Sequence, residues 1–268
     1  MDNIYFIIII GIITFEYLLT NIVRIFNLNS LGLELPNELQ DVFNEDEYQK
    51  SQLYTKEKES FSDFSSTIMF TLSLTIIFFG LYNFLDQYVR ILSFKSEIIN
   101  GLIFYGLLII ISDLISTPFS LYSIFVIEEK FGFNKMTKKT FLSDKVKSYF
   151  LIIIIGAPIT ALLLYCFESF DYAWLYAWIL IMSFSIVMQP IFNNFISPMF
   201  NKFEPLEKGP LLDKIKQYLI EIDFPVAKIE IMDGSKRSSH SNAYFSGFGK
   251  NKRIALFDTL IDSMNDDE

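Results

Sequence analysis

Five runs of apolar residues follow one another along the first three quarters of the chain, separated by more polar stretches. Each run is roughly 20 residues long, which at 1.5 Å per residue is enough to cross a hydrocarbon core of ~30 Å. The pattern therefore predicts five transmembrane helices. They cover residues 4–26, 64–85, 98–117, 149–167 and 173–196.

The ends of two of these runs carry further information. The first run is predicted to be a retained membrane helix, because Met-Asp-Asn before it has no positive charge and the run is longer than the apolar part of a signal peptide. Pro118 is expected to end or kink the third helix, since proline removes an N–H and clashes with the preceding turn. Residues 31–63, between the first two runs, predict a connecting loop with some helical content.

The pattern changes after Pro198. Apolar residues at helical spacing predict one helix over 211–222, and alternating residues predict strands over 229–232, 243–245 and 253–257. The turn between the last two strands is assigned to Gly247, Gly249 and Asn251. A new helix is expected at the end of the sequence. Such an α+β unit of about 60 residues buries too little surface to fold well by itself.

Composition supports a membrane protein and excludes one class of partner. The chain has 268 residues, of which 51% are hydrophobic and 17% are aromatic. A formal net charge of −9 argues against nucleic acid, which needs clustered Lys and Arg. The single cysteine, Cys166, excludes an internal disulfide, and the single histidine, His240, cannot complete a His-rich metal site.

Basic residues indicate how the helices are oriented. Loops after the first, third and fifth runs are rich in Lys and Arg, whereas the loop after the second has only Arg90 and Lys95, and 168–172 has none. The positive-inside rule therefore predicts the N-terminus outside and the C-terminal domain in the cytoplasm. The residues in the basic loops are Arg24, Lys50, Lys56, Lys58, Lys130, Lys135, Lys138, Lys139, Lys145, Lys147, Lys202 and Lys208.

Two acidic residues lie inside predicted spans. Glu16 is in the first and Asp113 in the third, and a charge at that depth is costly enough to be a functional candidate. Glu16 is interpreted first as facing a polar interior or being protonated, and Asp113 as hydrogen-bonding the turn before Pro118. The alternative is a polytopic binding or transport protein in which both residues line a polar path.

Three stretches resemble one known family. The first joins Leu35-Pro-Asn-Glu-Leu39 to Tyr48-Gln-Lys-Ser-Gln-Leu-Tyr54, and the second joins Thr117-Pro-Phe-Ser120 to Phe125-Val-Ile-Glu-Glu-Lys-Phe-Gly-Phe-Asn-Lys135. The third joins Phe200-Asn-Lys-Phe-Glu-Pro-Leu206 to 233–245 and 252–260. Taken together and in this order, they are similar to the CAAX prenyl protease 1 type of integral-membrane zinc endopeptidases.

The resemblance implies a mainly α architecture. A polytopic transmembrane helical bundle of about five spans occupies residues 1–200, and 201–268 is the start of a small cytoplasmic α+β metalloprotease domain. The family holds one zinc ion with an H-E-x-x-H helix and a later Glu, and zinc-activated water attacks the peptide bond. This sequence ends before such a motif, so no catalytic residue and no metal ligand is assigned, and the chain alone is expected to be inactive.

One set of site residues follows from the resemblance. Asn242, Ala243, Tyr244 and Phe245 are similar to the edge strand beside the zinc cleft, where an extended substrate pairs by strand addition. The alternative is that Tyr244 and Phe245 are core residues and Asn242 a turn residue. His240 lies in a stretch that supplies no zinc ligand in the family.

The resemblance also implies partners and a location. The substrates are peptides, either prenylated CAAX peptides or membrane proteins undergoing processing or quality control. We expect a monomer embedded in a lipid bilayer, in the bacterial cytoplasmic membrane or that of the endoplasmic reticulum, with no nucleic-acid partner.

Overall fold

The computed structural model describes residues 4–32, 34–35, 40, 44–92, 94–226, 228–247 and 252–265. The chain divides into two compact units, Met1–Phe131 and Gly132–Glu268. Within the described ranges, five helices are long and apolar enough to cross a membrane, and they carry many large hydrophobic side chains on their surfaces. Because water penalises so much exposed apolar surface, a bilayer is the solvent that these helices fit.

The first unit is built from three long helices and one short one in its described part. These are α1 (Ile4–Ser30), α2 (Glu45–Phe78), α3 (Leu81–Ile91) and α4 (Glu97–Phe131). Asn44 begins α2 by accepting a hydrogen bond from the Asp46 N–H, and three acidic residues in the first turn suit the helix dipole. The chain leaves α2 through Gly80, whose φ of 64° is in the left-handed region that favours glycine.

A charged cluster holds α1 against α2. Arg24 is only 7% exposed. Its guanidinium donates to Glu59 Oε2 at 3.3 Å and to Asp63 Oδ1 at 2.9 Å. The guanidinium also donates to Asn21, Ser62 and Ser66. Since a buried charge is costly unless it is paired, this network is what allows an arginine to lie between two membrane helices.

Pro118 does not end the third membrane helix. It lies inside α4, which continues through a π-helical turn at Ser123–Glu128 to Phe131. The hydroxyls of Ser116 and Thr117 donate to the backbone carbonyl of Asp113 in the turn before the proline. The helix therefore continues past the proline, and its π-helical turn begins five residues further on.

The second unit begins with two long helices. They are α5 (Lys138–Ser169) and α6 (Ala173–Phe200), and each contains a π-helical turn, at Ile152–Gly156 and Phe192–Ile196. Thr137 begins α5, since its hydroxyl accepts a hydrogen bond from the Thr140 N–H.

A four-stranded sheet follows within the described residues of this unit. Its strands are β1 (Phe203–Pro205), β2 (Lys228–Met232), β3 (Ala243–Ser246) and β4 (Arg253–Phe257), in the order β1-β2-β4-β3. β2 and β4 are parallel, and the two outer pairs are antiparallel. Helix α7 (Pro210–Glu221) lies between β1 and β2 in the chain, and α8 (Asp258–Ser263) follows β4.

One face of this sheet is better covered than the other. Met232 and Ala255 point to the covered face and are 6% and 0% exposed. On the opposite face, Ile231, Ile254 and Leu256 are only half-buried. A groove of about 1130 Å³, lined mainly by apolar residues, opens between α7 and β2.

The predicted architecture is confirmed, with different boundaries. All five membrane helices, the helix now labelled α7 and the three predicted strands are present. The predicted loop over 31–63 is partly wrong, because α2 already begins at Glu45 and runs unbroken into the second span. The strand β1 was not predicted. Gly249 and Asn251 of the predicted turn, and 36–39 of the first resembling stretch, lie outside the described residues.

Candidate functional site

Strand β3 lies at one edge of the sheet. It pairs with β4 alone among the described strands, with Ala243 opposite Leu256 and Phe245 opposite Ile254. An edge strand presents N–H and C=O groups that an added strand can use. The segment predicted to bind substrate is therefore placed where strand addition is geometrically possible.

The hydrogen-bond alternation identifies which backbone groups face outward. Phe257 donates its N–H to the Asn242 carbonyl at 2.9 Å, so these two residues form a hydrogen-bonded pair. Bonded and non-bonded pairs alternate along an antiparallel ladder. Tyr244 is consequently bonded to β4, while the N–H and C=O of Ala243 and Phe245 point away from β4, toward the free edge.

The four predicted site residues have different surroundings. Asn242 Oδ1 accepts the Ala243 N–H at 2.8 Å, so the amide side chain covers the first outward-facing donor. Tyr244 points into the covered face, with its hydroxyl 3.8 Å from Met232 Sδ. Phe245 is 72% exposed on the opposite face, where its ring contacts the edge of Phe224. Tyr244 thus packs in the interior, whereas the other three residues are exposed.

The turn before β3 is held by Asp258 from one side. This carboxylate accepts hydrogen bonds from the Ser235 N–H, the Ser235 hydroxyl and the Thr259 N–H. Burial raises the pKa of Asp258, but the hydrogen bonds from Ser235, Thr259 and Gly234 outweigh it and leave the pKa below its usual value. Gly234 is required here, because a Cβ would lie 2.4 Å from the Phe257 ring.

The same turn is held from the other side by Arg237. Its Nε and Nη2 lie 2.9 and 2.8 Å from Asp144 Oδ2 in α5. Nη1 donates to Asn201 Oδ1 at 2.7 Å, and Nη2 donates to the Phe200 carbonyl at the end of α6. Arg237 therefore fixes the approach to β3 on the ends of two membrane helices.

The sequence analysis assigned no role to Arg237 or Asp144. They are 93 positions apart, and neither residue lies in a spacing that signals an ion pair. The available signal was weaker: Arg237 is a basic residue in a polar stretch that also contains the predicted site. Only the fold brings α5 to this turn.

His240 has a structural environment. Its ring stacks on Phe133 with centroids 4.3 Å apart. The neighbouring Ser239 N–H donates to the Phe133 carbonyl, and Asn134 forms a β-bridge with Ser238. These contacts attach 238–240 to the segment before α5. That His240 supplies no zinc ligand stays a prediction.

The described residues do not fit a zinc site. They contain no group of three or more His, Cys, Asp or Glu side chains placed to hold a metal ion. The whole sequence has one histidine and one cysteine, and Cys166 is buried in α5. Since protein zinc sites need three or four such ligands, no step of a zinc reaction is assigned to residues of this chain.

The two acidic residues of the transport hypothesis lie on different helices. Glu16 is exposed on the surface of α1, and Asp113 is half-buried in α4. The backbone carbonyl of Asp113 accepts hydrogen bonds from the hydroxyls of Ser116 and Thr117 in its own helix. The family match, rather than the position of these two residues, is what does not favour a binding or transport protein.

Comparison with known proteins covers most of the chain. Residues 25–202 match the family described as CAAX prenyl protease N-terminal, five membrane helices, and residues 205–268 match peptidase family M48. A CAAX prenyl protease 1 homolog of Mus musculus is 41% identical over 235 residues, which are 85% of this chain and 50% of that protein. CAAX prenyl protease 1 of Saccharomyces cerevisiae is 40% identical over 247 residues, 88% of this chain and 54% of that protein.

A solved structure shares the fold. The crystal structure of S. mikatae Ste24p superposes with a TM-score of 0.90 at 37% identity, over 98% of this chain and 63% of that one. The chain spans about half the length of the curated mouse and yeast relatives that it matches. The chain thus shares its five membrane helices and its sheet-containing unit with these proteins, and it belongs to the CAAX prenyl protease family.

Proposed function

We propose that this chain provides the membrane helices and the first part of the peptidase domain of a membrane-embedded endopeptidase. The observation that carries the proposal is the free edge of β3, held by Arg237 and Asp258 and offering the outward backbone groups of Ala243 and Phe245. An extended peptide adds to such an edge through main-chain hydrogen bonds. Asn242 would release the Ala243 N–H to a substrate carbonyl, and Tyr244 would hold the strand against the sheet.

The proposed cofactor is one zinc ion, in keeping with the metallopeptidase family. When bound, zinc activates a water molecule for attack on a peptide carbonyl. The residues of this chain contribute the peptide-pairing strand and its supports. We further propose that 1–200 form the membrane domain and 201–268 the start of the peptidase domain, which is supported by the two matched regions meeting at 202 and 205.

The proposed substrates are prenylated peptides with a CAAX ending, the class in the names of the relatives. Processing or quality control of other membrane proteins is the broader possibility. The experiment compares cleavage of one such peptide with and without its prenyl group by the complete product of the gene that encodes this chain. We expect cleavage of the prenylated peptide and at least tenfold (about 1.4 kcal/mol) slower cleavage of the other form.

The 268-residue chain is the control in that experiment. Because it has one histidine and no described metal-ligand group, we expect no stoichiometric zinc by metal analysis and no cleavage. Equal rates for the two peptides would indicate broader processing of membrane proteins. If the folded complete product cleaves neither peptide, the proposed activity is wrong.

We propose that the protein is a monomer. We also propose that its N-terminus lies outside and that its sheet-containing unit lies in the cytoplasm. The support is the concentration of Lys and Arg in alternate loops. When the protein is expressed in the bacterial cytoplasmic membrane, an N-terminal epitope tag should be labelled by antibody on intact spheroplasts. Labelling only after permeabilisation would show that the N-terminus lies inside.

A further inference from the structure

The short helix α3 has one polar side and one apolar side. Its polar residues recur at the spacing of a single helix face, and they are Asn83, Asp86, Gln87 and Arg90. Large apolar residues recur at the same spacing on the opposite side, and they are Leu81, Phe84, Leu85, Tyr88 and Ile91. Such a separation is typical of a helix that lies at the boundary between an apolar phase and water.

The first unit covers only part of the apolar side of α3. Val89, at the margin of that side, is fully buried, and α3 contacts both α2 and α4. In contrast, Phe84, Tyr88 and Ile91 are 68%, 55% and 74% exposed. These three residues are four and three positions apart, so they form one apolar stripe along the helix. Because water penalises exposed apolar surface, the stripe requires an apolar partner.

The position of α3 in the chain indicates what that partner is. α2 is a candidate membrane span that ends at Phe78, and α4 is another that begins at Glu97. Gly80, in the left-handed conformation, separates α2 from α3. Exposed aromatic rings also flank α3, with Phe79 before it and Phe94 after it. Since aromatic residues collect where a span meets water, α3 lies at the membrane boundary and its stripe adjoins lipid.

The charges of α3 indicate which lipid surface it fits. Arg90 Nε donates to Asp86 Oδ2 at 2.8 Å, and Arg90 Nη1 donates to Glu97 Oε2 at 2.9 Å at the start of α4. Asp86 and Arg90 are the charged residues of α3, and their charges cancel. A helix that binds anionic lipid carries an excess of Lys and Arg on its polar side. The polar side of α3 therefore matches a zwitterionic surface, such as that of phosphatidylcholine.

We propose that α3 is an interfacial helix that lies along the surface of a zwitterionic membrane. Phe84, Tyr88 and Ile91 enter the boundary between headgroups and acyl chains, while Asn83 and Gln87 face water. With 11 residues, α3 is too short to cross the bilayer, which distinguishes it from the five spans. The proposal does not depend on the proposed peptidase activity.

The test measures the depth of spin labels in the complete gene product, reconstituted in phosphatidylcholine vesicles. Its cysteines, Cys166 included, are replaced by alanine. A single label is then attached in each of four variants, Phe84→Cys, Ile91→Cys, Asn83→Cys and Gln87→Cys. Collisions with oxygen, which concentrates in lipid, and with a nickel complex, which stays in water, report the depth. We expect the labels at Phe84 and Ile91 to lie ~5–10 Å below the headgroup surface and the other two to lie in water.

The depths at Phe84 and Ile91 distinguish a surface helix from the alternatives. The two positions are seven residues apart, which is about 10 Å along a helix axis. Depths equal to within about 3 Å support the proposal, and a difference near the full length of about 10 Å would overturn it in favour of a steep helix. Labels reached by neither collision partner would show that protein covers the stripe. Labels reached mainly by the nickel complex would show that water does, and either result also contradicts the proposal.

A pair of variants connects the depth to the apolar stripe. Phe84→Asn/Ile91→Asn should move a label at Tyr88→Cys toward water by at least about 5 Å, because two large apolar side chains are lost. The matched control, Asn83→Gln/Gln87→Asn, changes the polar side and should leave that label in place. Melting temperatures show whether each variant is folded. An unmoved label in the folded stripe variant, or a deeper label when anionic phosphatidylglycerol is added to the vesicles, would overturn the proposal.

Discussion

Replacing Ala243 by proline in the complete gene product should lower kcat/KM for peptide cleavage by about 10–100-fold. The Ala243 N–H points away from β4, so the variant removes a donor that a substrate strand needs and places a ring at the free edge. Proline is tolerated in edge strands when its missing N–H faces solvent. The thermal melting temperature should therefore change little, and a steady-state cleavage assay with a parallel melting curve measures both effects.

Ala243→Val is the matched control for this variant. It adds a branched side chain at the same position but keeps the N–H, so kcat/KM should remain within about threefold of the unchanged enzyme. If both variants lose activity equally, the side-chain position matters rather than the backbone donor. If the proline variant retains full activity, substrate does not pair with this edge.

Replacing Arg237 by methionine should destabilise the second unit by about 2–4 kcal/mol, because Asp144 keeps only its 4.0 Å ion pair with Lys147 and the Phe200 carbonyl loses its donor. The side chains of Arg237 and Asp144 are 21% and 20% exposed, so the cost lies below that of a fully buried pair. The melting temperature in detergent should fall by at least about 5 °C.

Two further variants serve as controls for the effect of Arg237→Met on the melting temperature. Lys139→Gln removes an exposed charge from α5, the helix that also carries Asp144, and should leave the melting temperature almost unchanged. Adding Asp144→Asn to Arg237→Met should cost less than the sum of the single changes, because the carboxylate that Arg237 bound is then absent. Additive losses would show that the two side chains stabilise the unit independently.

The membrane helices could be predicted because their signal is local and strong. Runs such as 173–196 are mainly apolar. Whether such a run can span a bilayer depends on its own length and composition, and not on which elements pack beside it. The helix ends were less predictable. α2 begins at Glu45 because Asn44 and the acidic first turn favour helix there, although the sequence around them is polar enough to predict a loop.

The residues that hold the candidate site in place do so through contacts between distant parts of the chain, which the sequence alone does not reveal. Ala243 and Phe245 were assigned to a strand from alternation, but its place at an edge follows from the sheet order. Arg237 contacts Asp144 across 93 positions, and no local pattern in the sequence signals that pair. β1 is only three residues long and contains Pro205, which conceals a strand in the sequence.

The most direct test of the central claim is a structure of the complete gene product with a bound, non-hydrolysable prenylated CAAX peptide. The account predicts an extended peptide alongside β3, with a peptide carbonyl oxygen ~3 Å from the Phe245 nitrogen and another replacing Asn242 Oδ1 at the Ala243 nitrogen. A peptide bound elsewhere in a catalytically competent position, with the edge of β3 unoccupied, would contradict it.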